Sequence, residues 1–351
     1  MRFRSARTFL ATGVLAAGLL LPGASASAAP LAMPFIAQVN GCAVSGSGVA
    51  PGQIVHRSAA GAKKGTYTPQ VSGLSWYASC TKSVIVPGDT LTFLDLSGGT
   101  PVVIQKVTIP AFTAVLDRRL QRVTGLAKGV KKVDLQLQQC KYQMSVACDV
   151  KDDGSVPVSA GAYLYAPAKP VTGTWQVALQ RSNGGLTLAM FAGFPRLVAS
   201  LGSAAITGVG NPDQSISVRV DRAGQAATLS GRVGKNRGWD GTVKRNTAAR
   251  ALAVGDRIRW YLAGKLQADF VVPAIDMTIA PSHTSGHCFP GGSVRITATK
   301  PDKSQSLTNG GPVNQSGAFD VTMSISSGWS VELECRTPSG DGITISGVAG
   351  V

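Results

Sequence analysis

Three potential metal ligands fall within six residues at His283-Thr-Ser-Gly-His287-Cys288. On a helix, histidines at i and i+4 would share a face and could hold zinc. Pro281, Ser285, Gly286 and Pro290 instead read as a loop, and Cys288 has a disulfide partner within reach in Cys335, so no metal site is expected. Asp149-Val-Lys-Asp152-Asp153-Gly154 has the outline of a calcium loop, but its third position is Lys151 and its twelfth is Ala160. The EF-hand ligand set therefore fails, and Asp-Gly reads as a hairpin turn. The chain's glutamates, Glu332 and Glu334, would lie on one face of a strand about 7 Å apart. They are the available pair for glycoside chemistry, and are read here as a solvent-facing row. No G-x-S-x-G elbow, H-E-x-x-H, P-loop or dinucleotide fingerprint occurs. The expectation is a non-enzymatic protein without cofactor or metal.

The remaining chemistry is charge. The chain carries 34 basic and 18 acidic residues, a net +16. Basic residues outnumber acidic ones by 10 to 5 over residues 110–194 and by 12 to 5 over 195–272, while 273–351 is net acidic at 4 to 6. Arg118, Arg119, Arg122, Lys128, Lys131 and Lys132 form one cluster. Arg232, Lys235, Arg237, Lys244, Arg245 and Arg250 form another. Such a field raises the local concentration of polyanions. Teichoic acid, anionic polysaccharide, extracellular DNA and anionic membrane surfaces all qualify. Five tryptophans, Trp76, Trp175, Trp239, Trp260 and Trp329, could stack sugars. Each falls in a recurring strand segment, as core residues would. His56 stands alone in a strand pattern and reads as structural.

The first 29 residues place this charge in a compartment. Arg2, Arg4 and Arg7 precede an apolar run from Phe9 to Leu21, followed by Ala-Ser-Ala-Ser-Ala at 24–28. A basic start, a short apolar stretch and small residues make a secretory signal, too short to span a bilayer. Six cysteines follow: Cys42, Cys80, Cys140, Cys148, Cys288 and Cys335. An even count in an exported chain reads as three disulfides, with 15 possible pairings. Sequence neighbours suggest 42–80, 140–148 and 288–335, each stabilising by roughly 2.5–4 kcal/mol through loop closure.

Elements that would position these groups recur along the chain. A proline inside an apolar segment appears at Pro34, Pro110, Pro195 and Pro273. Other landmarks keep phase: alternating strands at 53–56, 133–137, 216–220 and 294–298, then Ser-Gly or Asp-Gly steps at 72–73, 153–154, 240–241 and 316–317. Gly-opened strands follow at 88–93, 173–177, 255–260 and 328–333. Period-two alternation between such breaks is the strand-and-hairpin signature. Units of about 80 residues suit two-sheet antiparallel sandwiches. The expected division is 1–29, 30–109, 110–194, 195–272 and 273–351. No Gly/Ser-rich spacer separates the repeats, so closely coupled domains are expected. The third repeat has no cysteine and is expected to lean on its neighbours.

The cadence of alternating strand, Asp240-Gly241 and Gly255-Asp256 resembles that of tandem bacterial immunoglobulin-like repeat proteins. The likeness runs through residues 34–351. It implies an all-β fold of four tandem immunoglobulin-like sandwiches and a broad role in adhesion, scaffolding or ligand presentation, with no catalytic residues. The Cys…Trp…Cys pattern of antibody domains is not reproduced. The functional expectation is a secreted binding or adhesion protein engaging anionic envelope or extracellular polymers. The alternative is a secreted protein–protein module, such as a protease inhibitor or regulator, binding another secreted or surface protein through an exposed loop at Arg181-Ser-Asn-Gly-Gly185.

Overall fold

The computed structural model describes residues 34–79, 83–140, 148–168, 171–173, 175–183 and 185–350, with the backbone alone for 139–140 and 148–153. The described residues are all-β and form immunoglobulin-like antiparallel sandwiches. Alternation along the sequence explains the pairing. In each of the segments 34–109, 110–194, 195–272 and 273–351, called the first to fourth repeats for reference, the alternating strand pairs with the Gly-opened one: Gln53–Arg57 with Thr90–Asp95, Lys132–Cys140 with Trp175–Asn183, Ser215–Arg222 with Arg257–Leu262, and Ser293–Thr299 with Ser330–Arg336. Their inward residues, among them Ile54, Phe93, Leu137, Val177, Val218, Trp260, Ile296 and Leu333, are buried.

A second pairing ties the repeats together in twos. Phe35–Gln38 runs parallel to Leu186–Gly193, joining strands of the first and second repeats into one eight-stranded sheet. Arg196–Ser200 runs parallel to Gly342–Val348 and joins the third and fourth into a seven-stranded sheet. The cores follow the sheets: one cluster of buried apolar side chains extends from Phe35 to Phe194, another from Leu197 to Ala349. The cysteine-free third repeat thus shares its core with the fourth.

One hydrogen-bond bracket explains the recurring apolar-proline landmarks. The amide of Gly88 donates to Ile109 O and Ile109 N donates back to Asp89 O; Gly255, Val272 and Asp256 repeat this, as do Gly328, Ala349 and Trp329. Phe194 N donates to Trp175 O in the same way. Ile109, Phe194 and Val272, each just before a landmark proline, are therefore buried strand ends. The bracketed position alternates Asp89, Trp175, Asp256, Trp329, so the chemical period is two repeats long.

A glycine is also paired across strands with an aromatic residue four times: Gly46–Trp76, Gly125–Tyr163, Gly208–Trp239 and Gly286–Phe319; in the first three the ring lies over the glycine. A Cβ at Gly208 would lie 2.3 Å from Trp239 Cζ2 and 2.5 Å from Arg196 O. At Gly46 it would lie 2.4 Å from Trp76 Cζ2 and 2.9 Å from Pro34 O. Only a residue without Cβ lets the ring and the first strand's carbonyl close on it.

Two expected turns are strands instead. Asp153-Gly154 lies inside Cys148–Pro157, opposite Gln136 and Leu135, and Asp240-Gly241 lies inside Gly238–Thr242. Gly241 serves packing, since a Cβ there would meet Leu229 Cδ1 at 2.4 Å. The Ser72-Gly73 and Ser316-Gly317 steps are turns with positive φ at the glycine.

Gly208→Ala is expected to destabilise by roughly 1–3 kcal/mol, the range for forcing extra volume into a packed core. For a body of this size that lowers the melting temperature by about 2–10 °C. Gly231→Ala, whose Cβ would meet Ile216 only at 3.5 Å, serves as the control and should melt as the parent chain does.

Candidate functional site

Of the predicted basic residues, two are not on the surface. Arg118 is 5% and Arg237 3% exposed, and both are used where the second repeat meets the third and fourth. Arg118 Nη1 donates to Ser339 O (2.9 Å), while its Nη2 donates to Gln267 O (2.8 Å) and Asp341 Oδ2 (3.1 Å). Its guanidinium also lies over the Trp260 ring at 5.8 Å. Arg237 Nη1 donates to Ala114 O (3.0 Å) and Nη2 to Asn211 Oδ1 (2.7 Å). Burial pulls its pKa down to about 10, with opposing charge from Tyr163. Asn211 completes the grip: its Oδ1 accepts from Leu116 N (2.8 Å) and its Nδ2 donates to Leu116 O (2.9 Å). Backbone carbonyls that need donors hold these two arginines, so neither belongs to the field presented to a polyanion.

Asp341 is the hub of the junction. Its Oδ1 accepts from Leu197 N (2.9 Å) and Trp260 Nε1 (3.1 Å). With Arg118 on Oδ2, one fully buried carboxylate contacts the second, third and fourth repeats. A carboxylate removed from water is tolerated because charge and three hydrogen-bond donors replace its hydration.

Glu334 corrects the expectation of a solvent-facing glutamate row. Glu332 is exposed, but Glu334 is buried beside Arg196 (3.0 Å), Arg336 (2.9 Å) and Arg295 (3.8 Å). Burial alone would raise its pKa; the Arg336 hydrogen bond and the charges of Arg196, Arg336 and Arg295 override that and hold it below its ordinary 4.5. One glutamate among three arginines is a buried anchor for those cations.

In the first repeat, His56, Tyr67, Asp89 and Lys64 form a chain. His56 Nδ1 meets the Tyr67 hydroxyl, His56 Nε2 lies 2.7 Å from Asp89 Oδ2, and Lys64 Nζ donates to the same oxygen at 2.7 Å. His56 and Asp89 are sealed from solvent, and burial, against the hydrogen bond and charge of Asp89, lowers the His56 pKa. Asp256, at the matching position, is held by Arg222 (2.6 Å) and Arg250 (3.7 Å). Each aspartate also accepts an amide three residues upstream, Val86 N or Ala253 N. This group fastens a turn.

His283–His287 is a strand, not a loop, paired on both sides with Asp276–Ile279 and Ala318–Thr322. Four residues of strand separate the two imidazoles by about 13 Å of chain. His287 Nδ1 lies 3.0 Å from Asp276 Oδ2, and Cys288 is bonded to Cys335, linking the two sheets of the fourth repeat. Among the described residues no group of three or more His, Cys, Asp or Glu is placed to hold a metal. Cys42 is disulfide-bonded, while Cys80 lies outside the described residues. Cys140 and Cys148 stand opposite each other in the backbone ladder, and their side chains lie outside the described set. All five tryptophans sit in recurring strands or brackets, and all five are buried.

What remains exposed is Arg119, Arg122, Lys128, Lys131 and Lys132 in the second repeat and Arg232, Lys235, Lys244 and Arg245 in the third. Lys131 and Lys132 line an open groove of about 420 Å³ with Gly129, Val130, Asp134, Ser182 and Asn183. Lys132 lies 3.5 Å from Asp134, and Lys235 pairs with Asp213. Arg181 is buried in Trp175–Asn183 with Nη1 on Lys128 O (2.6 Å); of the expected exposed loop, Ser182 and Asn183 are exposed but still in that strand, and Gly184 lies outside the described residues. Burial of the arginines was missed because a lone Arg gives no sequence sign of facing inward; Asn211 and Arg237 flank the Gly–Trp pair, which is the signal available.

No protein-family model and no curated protein matches the chain. Among solved structures, a tetra-tandem repeat from the extending region of a large adhesion protein is similar at 15% identity, with 90% of this chain and 98% of that one covered and a TM-score of 0.17. The chicken CNTN1 FN1–FN3 domains are similar at 8% identity, covering 67% and 96%, TM-score 0.17. A bacterial ice-binding adhesin is similar at 12%, covering 65% and 89%, TM-score 0.15. The sheets themselves define an all-β protein of antiparallel β-sandwiches. Among the described residues no helix is long and apolar enough to cross a membrane.

Arg118→Ala strips Asp341 of its counter-charge inside the junction and is expected to cost roughly 3–5 kcal/mol. In a double-mutant cycle with Asp341→Asn, read by chemical denaturation, the two losses should be far from additive; simple additivity would count against the pair as a unit. Glu334, with its depressed pKa, contributes stability that is present above pH 4.5 and lost as pH falls through its lower folded value. Glu334→Gln should lower stability at pH 7 and flatten the acid limb of a stability-versus-pH curve.

Proposed function

We propose that this chain is a non-enzymatic extracellular binding or adhesion protein that engages anionic polymers of a cell envelope or matrix. The observation that carries this reading is the division of its cations. Arg118, Arg196 and Arg237 are buried against carbonyls and carboxylates, whereas Arg119, Arg122, Lys131, Lys132, Arg232, Lys235, Lys244 and Arg245 face solvent. Exposed like charges on coupled rigid sandwiches repel one another, a cost relieved when a polyanion lies across them. The open groove beside Lys131 and Lys132 is lined by Ser182 and Asn183 as well as by the Asp134 carboxylate; its two lysines, hydroxyl and amide supply the donors a phosphate or sulfate on such a polymer would use. Teichoic acid and acidic polysaccharide share that chemistry, and the secretory signal read from residues 1–29 supports an encounter with them.

Retention of the purified protein on immobilised teichoic acid, and on heparin as a generic polyanion, tests this at about 50 and 300 mM salt. Substituting Arg119, Arg122, Lys131 and Lys132 by serine should weaken binding by on the order of tenfold or more, at a few tenths of a kcal/mol per screened contact, and reduce its salt dependence. Unchanged retention by that variant would remove the reading.

A further inference from the structure

The grip that the third repeat exerts on the second has a counterpart in the first repeat with nothing in it. Gly210 N donates to Arg237 O (2.9 Å) two residues beyond the Gly208–Trp239 pair, and Gly48 N donates to Leu74 O (2.8 Å) two residues beyond Gly46–Trp76. Leu74 therefore occupies the place of Arg237, and Val49 that of Asn211. The third gripping group, Gln267 O, belongs to a bulged residue: the register of Arg257–Leu262 with Lys265–Val271 slips between Trp260 and Tyr261. The register of Thr90–Asp95 with Val102–Thr108 slips at the matching point, Phe93/Leu94, and the residue passed over is Ile104.

Of the three positions that hold the second repeat, Asn211 and Arg237 are buried and Gln267, which acts through its main-chain carbonyl, is half-buried; their counterparts in the first repeat are aliphatic and open to solvent. Val49 is 87%, Leu74 84% and Ile104 38% exposed. Leu96, Val102 and Val103 extend the patch, and residues 47–52, 72–75 and 96–104 contain no charged side chain. Exposed aliphatic side chains with no charge among them mark an interaction surface.

The occupant follows from the same internal duplication. What the third repeat holds is Val115–Asp117, the outer strand of a three-stranded sheet, at Leu116. In the fourth repeat the matching outer strand is Asp276–Ile279. Leu116 pairs with Val123 two residues before Gly125, and Ile279 pairs with Thr284 two residues before Gly286. Gly125 and Gly286 each close on a first-strand carbonyl, Thr113 O and Asp276 O. The chain thus has a free seat in its first repeat and a free copy of the seated strand in its last. We infer that a second copy of this chain docks its Asp276–Ile279 edge on the Val49–Leu74–Ile104 pole, so that molecules associate head to tail. The contact is heterologous, joining one end of a molecule to the opposite end of the next.

Sedimentation velocity on the purified chain, over roughly a hundredfold range of concentration, tests the inference. The mass should climb with concentration without settling at one stoichiometry. Val49→Asp/Leu74→Asp, at side chains already in water, should leave the melting temperature unchanged and weaken association at least tenfold; Thr278→Asp on the exposed edge should do the same. Mixed together, the two blocked variants should form dimers and nothing larger, because each supplies the end that the other retains. A monomer at every concentration overturns the proposal, as does association that survives Val49→Asp/Leu74→Asp. Self-association of the Thr278→Asp variant at parental strength would show pole-to-pole pairing instead, and also overturns it.

Discussion

Two short parallel ladders decide what this chain is mechanically. Phe35–Gln38 beside Leu186–Gly193 and Arg196–Ser200 beside Gly342–Val348 each bring together strands about 150 residues apart in sequence. Parallel neighbours need a long crossover, and here the crossover is two entire sandwiches. The ladder closes only when both members of a pair have folded, so neither can act as an independent bead. Continuous cores on either side of residues 194–197 are the consequence, as is a third repeat that needs no disulfide of its own.

Within that frame the same backbone solution is used repeatedly with different chemistry. The bracket from the Gly turn to the last strand needs only main-chain atoms, which is why Asp89, Trp175, Asp256 and Trp329 can share one position. Asp takes upstream amides and a neighbouring cation; Trp fills the volume with ring. The Gly–aromatic pair is the less tolerant part, because the space beside Gly46 or Gly208 is bounded by a carbonyl oxygen as well as by a ring.

Much of this was legible in the residues. Strict alternation located the paired strands, and the prolines marked buried strand ends, since Ile109, Phe194 and Val272 precede them. Cys288 and Cys335 are bonded as their spacing suggested. The sequence did not distinguish Asp-Gly in a turn from Asp-Gly in a strand: at Gly241 the demand comes from Leu229 across the sheet, and no local pattern encodes a cross-strand neighbour. Glu334 and Arg118 failed for the same reason. Alternation puts Glu332 and Glu334 on one face, but only the second is covered, by residues about 140 positions away such as Arg196. Net charge by segment was readable; which cations the junction absorbs depends on docking of repeats, a property of the assembled sheets.

The distribution of polarity at the repeat ends runs against simple burial. Asn211 and Arg237 are enclosed, while Val49 and Leu74 stand in water. The enclosed pair is explained by what it faces: the main-chain groups of Ala114 and Leu116 are desolvated when the second repeat docks, and each requires a partner. A side-chain amide and a guanidinium supply donors and an acceptor that aliphatic groups lack. Val49 and Leu74 have no such groups opposite them in the chain, so their positions were free to diverge. Drift on a free surface tends toward polar residues, because exposed aliphatics gain nothing from folding and promote association. Val49, Leu74 and Ile104, at three corresponding positions and with no charge in residues 47–52, 72–75 or 96–104 to interrupt them, oppose that tendency.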